Sequence, residues 1–371
     1  MRKISGIIIL ICSTLVLLTA MNQSFINRIK RDRYFDHLQP TNTNNKTLYQ
    51  QIFIRSDRWR YGDLYGLSYL PQYKSKLEPF KQYNKNDSQN SSNRLLYIIG
   101  DSFLADKDLS KAFDGFDKVI FLDRRFSFGP IKLDSTKQNY LIMEFAERNL
   151  SEYNIDKTAE LKWTKIDIKS KLSLNNTLKD TVVQNDHPPF STRFAKIIFN
   201  KDLSRTNLEL LLFDDKFFTP IKEAKSALNY YLFGRLPEEV AVSTDKKRLF
   251  LNITVDTSYV QSAFVFKSDQ EINKIKINLV AAKGYYQSIG FIKIFLSVIP
   301  NPVSVYDNKR MHYNRLLERI ESSNTFSTIS LVKSYKAEKR SLYYKSDAHW
   351  NPLGLDIWVN ETNRVLQGSL K

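Results

Sequence analysis

Leu95-Leu96-Tyr97-Ile98-Ile99-Gly100-Asp101-Ser102-Phe103 is a short apolar run that ends in a turn signal. Unbroken apolarity over this length marks a strand buried on both faces, the habit of parallel strands in α/β sheets. Open α/β sheets bind ligands beyond the C-terminal ends of their strands. A serine directly after such a strand, with Gly100 permitting a tight turn, can present its hydroxyl to that crevice. The Ser102 backbone N–H can at the same time face a developing oxyanion. Gly, Asp and Ser are also ordinary turn residues. The motif therefore carries chemistry only if the chain supplies a base elsewhere.

Downstream, Lys118–Leu122 and Tyr140–Phe145 read as two more short strands, with a helix predicted after Asp106 as far as Phe113. Strand, helix, strand, strand at this spacing predicts a doubly wound, mainly parallel sheet. Alternation in Lys162–Leu172 and Phe194–Phe199 predicts an additional, partly antiparallel segment, and Asn207–Phe213 a further strand. Helical spacing over Pro220–Leu232 ends at Gly234. Asp269–Ser288 is the strongest helix: Ser268 and Glu271 form a capping box, Ile272, Ile275, Leu279, Ala282 and Tyr286 share one face, and Gly290 stops it. Ile292–Ile299 is a strand closed by Pro300, Tyr313–Ser322 a helix, and Ser327–Val332 a short strand.

Upstream, Arg2 and Lys3 precede the uncharged apolar run Ile7–Ala20. Residues 1–24 form a cleavable signal peptide or an uncleaved signal anchor. Leu18 makes a poor cleavage site, so an anchor with the bulk of the chain exported is preferred. The basic stretch Arg28–Arg33 opposes that orientation by the positive-inside tendency, and equally suits anionic headgroups. Residues 25–93 form a juxtamembrane segment and a polar linker that ends in an Asn- and Ser-rich run, leaving 94–371 as the main domain.

The chain has 371 residues, 42% hydrophobic and 13% aromatic, enough for a sizeable core. Its net charge of +17 implies an anionic neighbour. The charge is spread along the chain and no nucleic-acid motif stands out, so nucleic acid is discounted. The single cysteine, Cys12, lies in the apolar run, which leaves the rest without a disulfide, a thiolate metal site or a cysteine nucleophile. Four histidines argue against a His-rich metal centre, and no cofactor is called for.

The base is found near the C-terminus, in Ser346-Asp347-Ala348-His349-Trp350-Asn351-Pro352. The imidazole of His349 can accept a proton from a serine hydroxyl, and Asp347 can fix its tautomer. His37 sits in the juxtamembrane segment, His187 in the loop Asn185-Asp186-His187-Pro188-Pro189, and His312 has no carboxylate at similar spacing before it; each reads as a surface or loop histidine. A structural turn with Trp350 as a core anchor is the plain alternative.

Taken together, Gly100-Asp101-Ser102-Phe103 and Asp347-Ala348-His349-Trp350-Asn351 resemble the nucleophile and Asp-x-His-Trp motifs of the SGNH-hydrolase-like alginate O-acetyltransferases, the AlgJ/AlgX type. Glu144–Leu150, Ile299–Tyr306 and Val240–Tyr259 are also similar to that family. In those enzymes the Asp-x-His motif usually precedes the serine. Here the serine comes first, as in a circular permutant. Pro302 stands where family members often carry a lysine, and the oxyanion blocks of the wider SGNH group are not matched.

The resemblance implies an SGNH-hydrolase-like fold and acyl transfer by double displacement. Ser102 would be the nucleophile, with its N–H in the oxyanion hole, His349 the base and Asp347 its orienting group. It further implies a polysaccharide acceptor and a membrane-bound acyltransferase as acetyl source, with the domain exported and periplasmic or extracytoplasmic. An acetyl esterase or a non-catalytic glycan-binding scaffold are the alternatives. Asp101, Glu147, Arg148 and Tyr306 are candidate pocket residues. Each has a structural alternative: turn support for Asp101, an ion pair for Glu147 and Arg148, core packing for Tyr306. Arg124 and Arg125 either bind a polymer or form a solvated basic face.

Overall fold

The computed structural model describes residues 2–22, 24–26, 64, 67, 70–73, 78–83, 92–105, 107–126, 128, 131–157, 207–208, 219–322 and 326–370. The chain forms two compact units, Met1–Pro79 with Leu178–Pro237, and Phe80–Thr177 with Glu238–Lys371. This departs from a single domain over 94–371. Phe80 and Tyr83 pack on the second unit's core, where the Tyr83 hydroxyl donates to Asp356 Oδ1 at 2.7 Å. The stretch Leu178–Pro237 belongs to the first unit instead.

In the first unit, α1 (Arg2–Met21) is 20 residues long. At 1.5 Å per residue it spans about 30 Å, the thickness of a bilayer's hydrocarbon core. Its uncharged window Ile4–Met21 is largely exposed, whereas Ala20 and Met21 at its C-terminal end are buried. The Asn207 amide donates to Ala20 O at 3.1 Å. Asn207 and Leu208 are helical, against the strand predicted there; the rest of that stretch lies outside the described residues. So do His37, His187 and the predicted strands at Lys162–Leu172 and Phe194–Phe199. The helix predicted over Pro220–Leu232 forms as α2 (Thr219–Ala227), continued by a wider turn over Leu228–Leu232. Gly234 ends it at φ +59°, a left-handed conformation that favours glycine.

In the second unit, β1 (Arg94–Gly100), β2 (Lys118–Asp123), β3 (Gln138–Ala146), β6 (Lys293–Ile299) and β7 (Ser327–Ile329) form one parallel sheet in the order β2-β1-β3-β6-β7. Successive side chains alternate between its two faces. Leu96, Ile98, Tyr140, Ile142 and Phe295 face a cluster built with Trp350, Trp358 and Leu366. Tyr97, Ile99, Leu141, Met143 and Leu296 face another, built with Ile272, Ile275, Leu279, Ala282 and Tyr286. The latter five come from α3 (Asp269–Ser288), whose capping box and buried face are those the sequence predicts. The former cover is the C-terminal helix α7 (Pro352–Leu370). The unit is therefore an α/β protein with helices on both faces of its sheet. Among the described residues the antiparallel sheet is a small pair, β4 (Val240–Val242) with β5 (Leu249–Leu251).

Three elements differ locally, two of them with a local cause. No helix forms from Lys107 to Phe113, because Asp108 Oδ1 accepts the Ser110 N–H at 3.1 Å and hydroxyl at 2.6 Å. That turn competes with helical pairing. The helix predicted from Tyr313 shortens to α5 (Leu316–Glu321), since Asn314 is tied to Ser262 O and Val265 O and Arg315 lies at φ +52°. The strand predicted to Val332 stops at Ile329, and α6 (Val332–Ala337) follows. The remaining short helix, α4 (Pro302–Tyr306), starts at Pro302, whose fixed φ suits a first helical position.

Candidate active site

In the order β2-β1-β3-β6-β7 the connections out of β1 and out of β3 run to opposite sides, and the crevice of a doubly wound fold opens at that switch point between them. Ser102 sits there. Asp101 shapes its turn: Oδ1 accepts the Phe103 N–H at 3.0 Å, and its carbonyl accepts from Leu104 and Ala105. The Asp101 N–H in turn donates to Glu144 Oε2 at 2.9 Å, across from β3. A Cβ on Gly100 would stand 2.5 Å from that same oxygen, so a larger residue there would force the Glu144 carboxyl to shift. The Ser102 N–H has no acceptor among the described residues.

The second motif sits on a tight hairpin. Tyr343 bridges Trp350 in antiparallel fashion, Asn351 N–H donates to Leu342 O at 2.9 Å, and the Tyr343 hydroxyl donates to Pro300 O at 2.5 Å. Trp350 joins hairpin to serine turn: its indole N–H donates to Phe103 O at 3.1 Å, and the two rings meet edge to face. Two segments 247 residues apart are thereby packed as one structure.

Their side chains meet in a hydrogen-bonded chain. Ser102 Oγ is 2.8 Å from His349 Nε2, and His349 Nδ1 is 2.7 Å from Asp347 Oδ1. The same oxygen accepts the His349 backbone N–H at 2.8 Å. Asp347 is buried, at 1% exposure, and in the tautomer that donates Nδ1–H to its carboxyl oxygen, Nε2 is the acceptor facing Ser102. An aromatic wall, Phe103, lies 4.9 Å from the imidazole.

The other predicted residues have different places. Asp101 supports the turn, as above, and its Oδ2 accepts the Asn149 amide at 3.2 Å. Glu147 and Arg148 do not pair with each other. Glu147 Oε2 accepts the Asn301 N–H at 2.7 Å and so joins the ends of β3 and β6. Arg148 stacks its guanidinium 5.6 Å from the Phe103 ring centroid, beside the serine turn. Tyr306 is a packing residue: its hydroxyl accepts the Leu342 N–H at 2.6 Å, and the Arg248 guanidinium lies 3.6 Å from its ring centroid. Arg124 stacks on Phe145 and donates to Ile99 O, while Arg125 pairs with Asp123.

Glu144 and Asn149 are contributors that sequence reasoning missed. Glu144 carried a signal, being the lone charge in an otherwise apolar strand; a buried charge of that kind calls for a reason. Burial, reinforced by Asp101, holds its carboxyl well above the usual carboxylate range, against the pull of Arg124 and the Asp101 N–H.

Burial likewise pushes Glu147 up to about 7, with the Asn301 N–H and Ser304 opposing. Between its ordinary value and 7 the folded state binds more protons than the unfolded one, so stability falls as pH rises through that window. The expected loss, about 3 kcal/mol at most, is absent from Glu147→Gln. Urea denaturation of both proteins at pH 4.5 and pH 7.5 checks this; parallel pH dependences would refute it.

The chain matches no family model, no curated protein and no solved structure. The site is described by its geometry alone: an α/β protein with a Ser–His–Asp chain at the C-terminal edge of a parallel sheet.

Proposed function

We propose that this protein is an O-acyltransferase that moves an acetyl group, through a serine acyl-enzyme, onto a hydroxyl of an exported polysaccharide. The observation that carries this reading is the Ser102–His349–Asp347 chain, with contacts of 2.8 and 2.7 Å, at the switch point of the sheet. An SGNH-hydrolase-like assignment is part of the proposal. It is supported by the serine after the first strand, the Asp-x-His hairpin before the last helix, and the likeness of both motifs to the AlgJ/AlgX type.

In the first half-reaction Ser102 Oγ attacks the acetyl carbonyl while His349 Nε2 takes its proton. Negative charge collects on the former carbonyl oxygen, where the Ser102 N–H can donate. Asp347 stabilises the imidazolium without taking the proton. Collapse breaks the bond to the donor's leaving group, which receives the proton from Nε2. In the second half-reaction a sugar hydroxyl gives its proton to Nε2 and attacks the acetyl-serine; collapse breaks the bond to Ser102 Oγ, which takes the proton back from Nε2. The apolar helix α1 suits attachment to a membrane, where a membrane-bound acyltransferase would serve as acetyl source.

Incubation of the full chain with 4-nitrophenyl acetate and an oligosaccharide acceptor, read by mass spectrometry, tests the reading. Acetylated oligosaccharide, together with an acetylated Ser102 peptide after rapid acid quench, is expected. Free acetate with unmodified acceptor would replace transferase by esterase. Neither product would leave a non-catalytic scaffold.

A further inference from the structure

The first unit presents a second apolar surface to the outside. Ile221, Leu228, Tyr231 and Leu232 are 62, 51, 66 and 69% exposed. At about 100° per residue they fall, with exposed Ala224, on one face of α2 and the wide turn that continues it. On the remaining faces Ser226 is buried, and Lys222, Glu223, Asn229 and Tyr230 are half-buried. The apolar stripe thus points away from the unit, the inverse of a helix that packs on a core. Phe233, and Leu236 beyond Gly234, extend it, and Lys225 and Arg235 stand exposed along it. Large contiguous apolar patches on a protein surface mark interaction sites.

We propose that this stripe lies in the headgroup layer of an anionic bilayer, the same bilayer that α1 crosses; the inference rests on reading α1 as a membrane span. Two observations select lipid over a protein partner. The unit buries Ala20 and Met21, so it begins where the apolar span ends and its surface is held close to the membrane. The stripe combines Ile, Leu, Phe and Tyr with flanking cations, the composition of helices that insert about 5–10 Å into the interface. Attraction of a +17 chain to anionic headgroups adds to this. Docking would give the exported protein a second point of attachment, fixing the rotation of the unit about the α1 axis.

The test uses the full chain with Cys12→Ser, so that Leu232→Cys takes the only label, an environment-sensitive fluorophore, in phosphatidylglycerol-containing proteoliposomes. Flotation with the vesicles reports α1; quenching of the probe by nitroxide-labelled lipid reports docking. Quenching at least about twofold stronger than in the same protein with Ile221→Glu and Leu228→Glu is expected for an inserted stripe. A chain that floats while its probe responds only to aqueous iodide would overturn docking and leave the span intact. Shielding that ignores lipid nitroxides and grows with protein density would put a second copy on the stripe instead. A chain that fails to float would remove both.

Discussion

Ser102→Ala is expected to lower the turnover of an acetyl ester by at least about 10⁴-fold, about 5 kcal/mol of transition-state stabilisation. Alanine deletes the attacking oxygen and leaves His349, Asp347 and the residue 102 N–H in place. What survives is the background that polarisation and binding alone can supply. The fold should be indifferent to the change. Ser102 is half-buried, and among the described residues its side-chain bond is to His349 Nε2. Loss of a single such bond changes stability by about 1 kcal/mol. Matched urea curves with unequal rates would place the defect in chemistry. Equal rates would dismiss Ser102 as nucleophile and the acyl-enzyme with it.

Gly354→Ala should be damaging although it replaces glycine by a better helix former. Gly354 lies in the first turn of α7, where its N–H donates to Asn351 Oδ1 at 3.0 Å and its carbonyl accepts the Tyr335 hydroxyl at 2.8 Å. A Cβ there would collide with the Leu342 carbonyl oxygen and stand 2.7 Å from Trp350 Cβ. Leu342 and Trp350 belong to the hairpin that carries His349, so the clash can be relieved only by moving that hairpin or the helix. The helix-propensity gain of about 1 kcal/mol is outweighed by an overpacking cost of about 1–3 kcal/mol. A shift of about 1 Å between Ser102 and His349 would slow turnover by about 10²-fold. Denaturation midpoint and ester turnover check both halves. A variant of unchanged or higher stability would show that the helix and hairpin are not in close apposition.

Local pattern made much of the fold legible. The apolar runs of β1, β3 and β6 announce strands covered on both faces, because within Leu96–Ile99, Leu141–Ala146 and Ile294–Ile299 only Glu144 and Ser297 break the apolar stretches that meet the two helical layers. α3 declares its ends through Ser268 and Glu271 and its buried face through a 3.6-residue period. Failures came where a side chain engaged the backbone, as Asp108 does with Ser110 and Asn314 with the loop at Ser262. Such bonds depend on conformation and leave no period to read.

Both polar motifs of the candidate site could be picked out one by one, since Gly-Asp-Ser after a strand and Asp-x-His before a helix combine turn chemistry with reactive groups. The sequence by itself determined which segments are apolar, which turns are tight, and that a serine and a histidine–aspartate pair stand at the ends of such segments. Only the tertiary structure decided that they meet. Sheet order places β1 at the switch point, Trp350 clamps the hairpin to Phe103, and Glu144 reaches from β3 under the serine turn. It also decided that Tyr306 packs and that Glu147 joins strand ends. The physical reason is range: hydrophobic period and turn propensity act over a few residues. A contact across 247 residues is set by how the buried faces of sheet, helix and hairpin fit together.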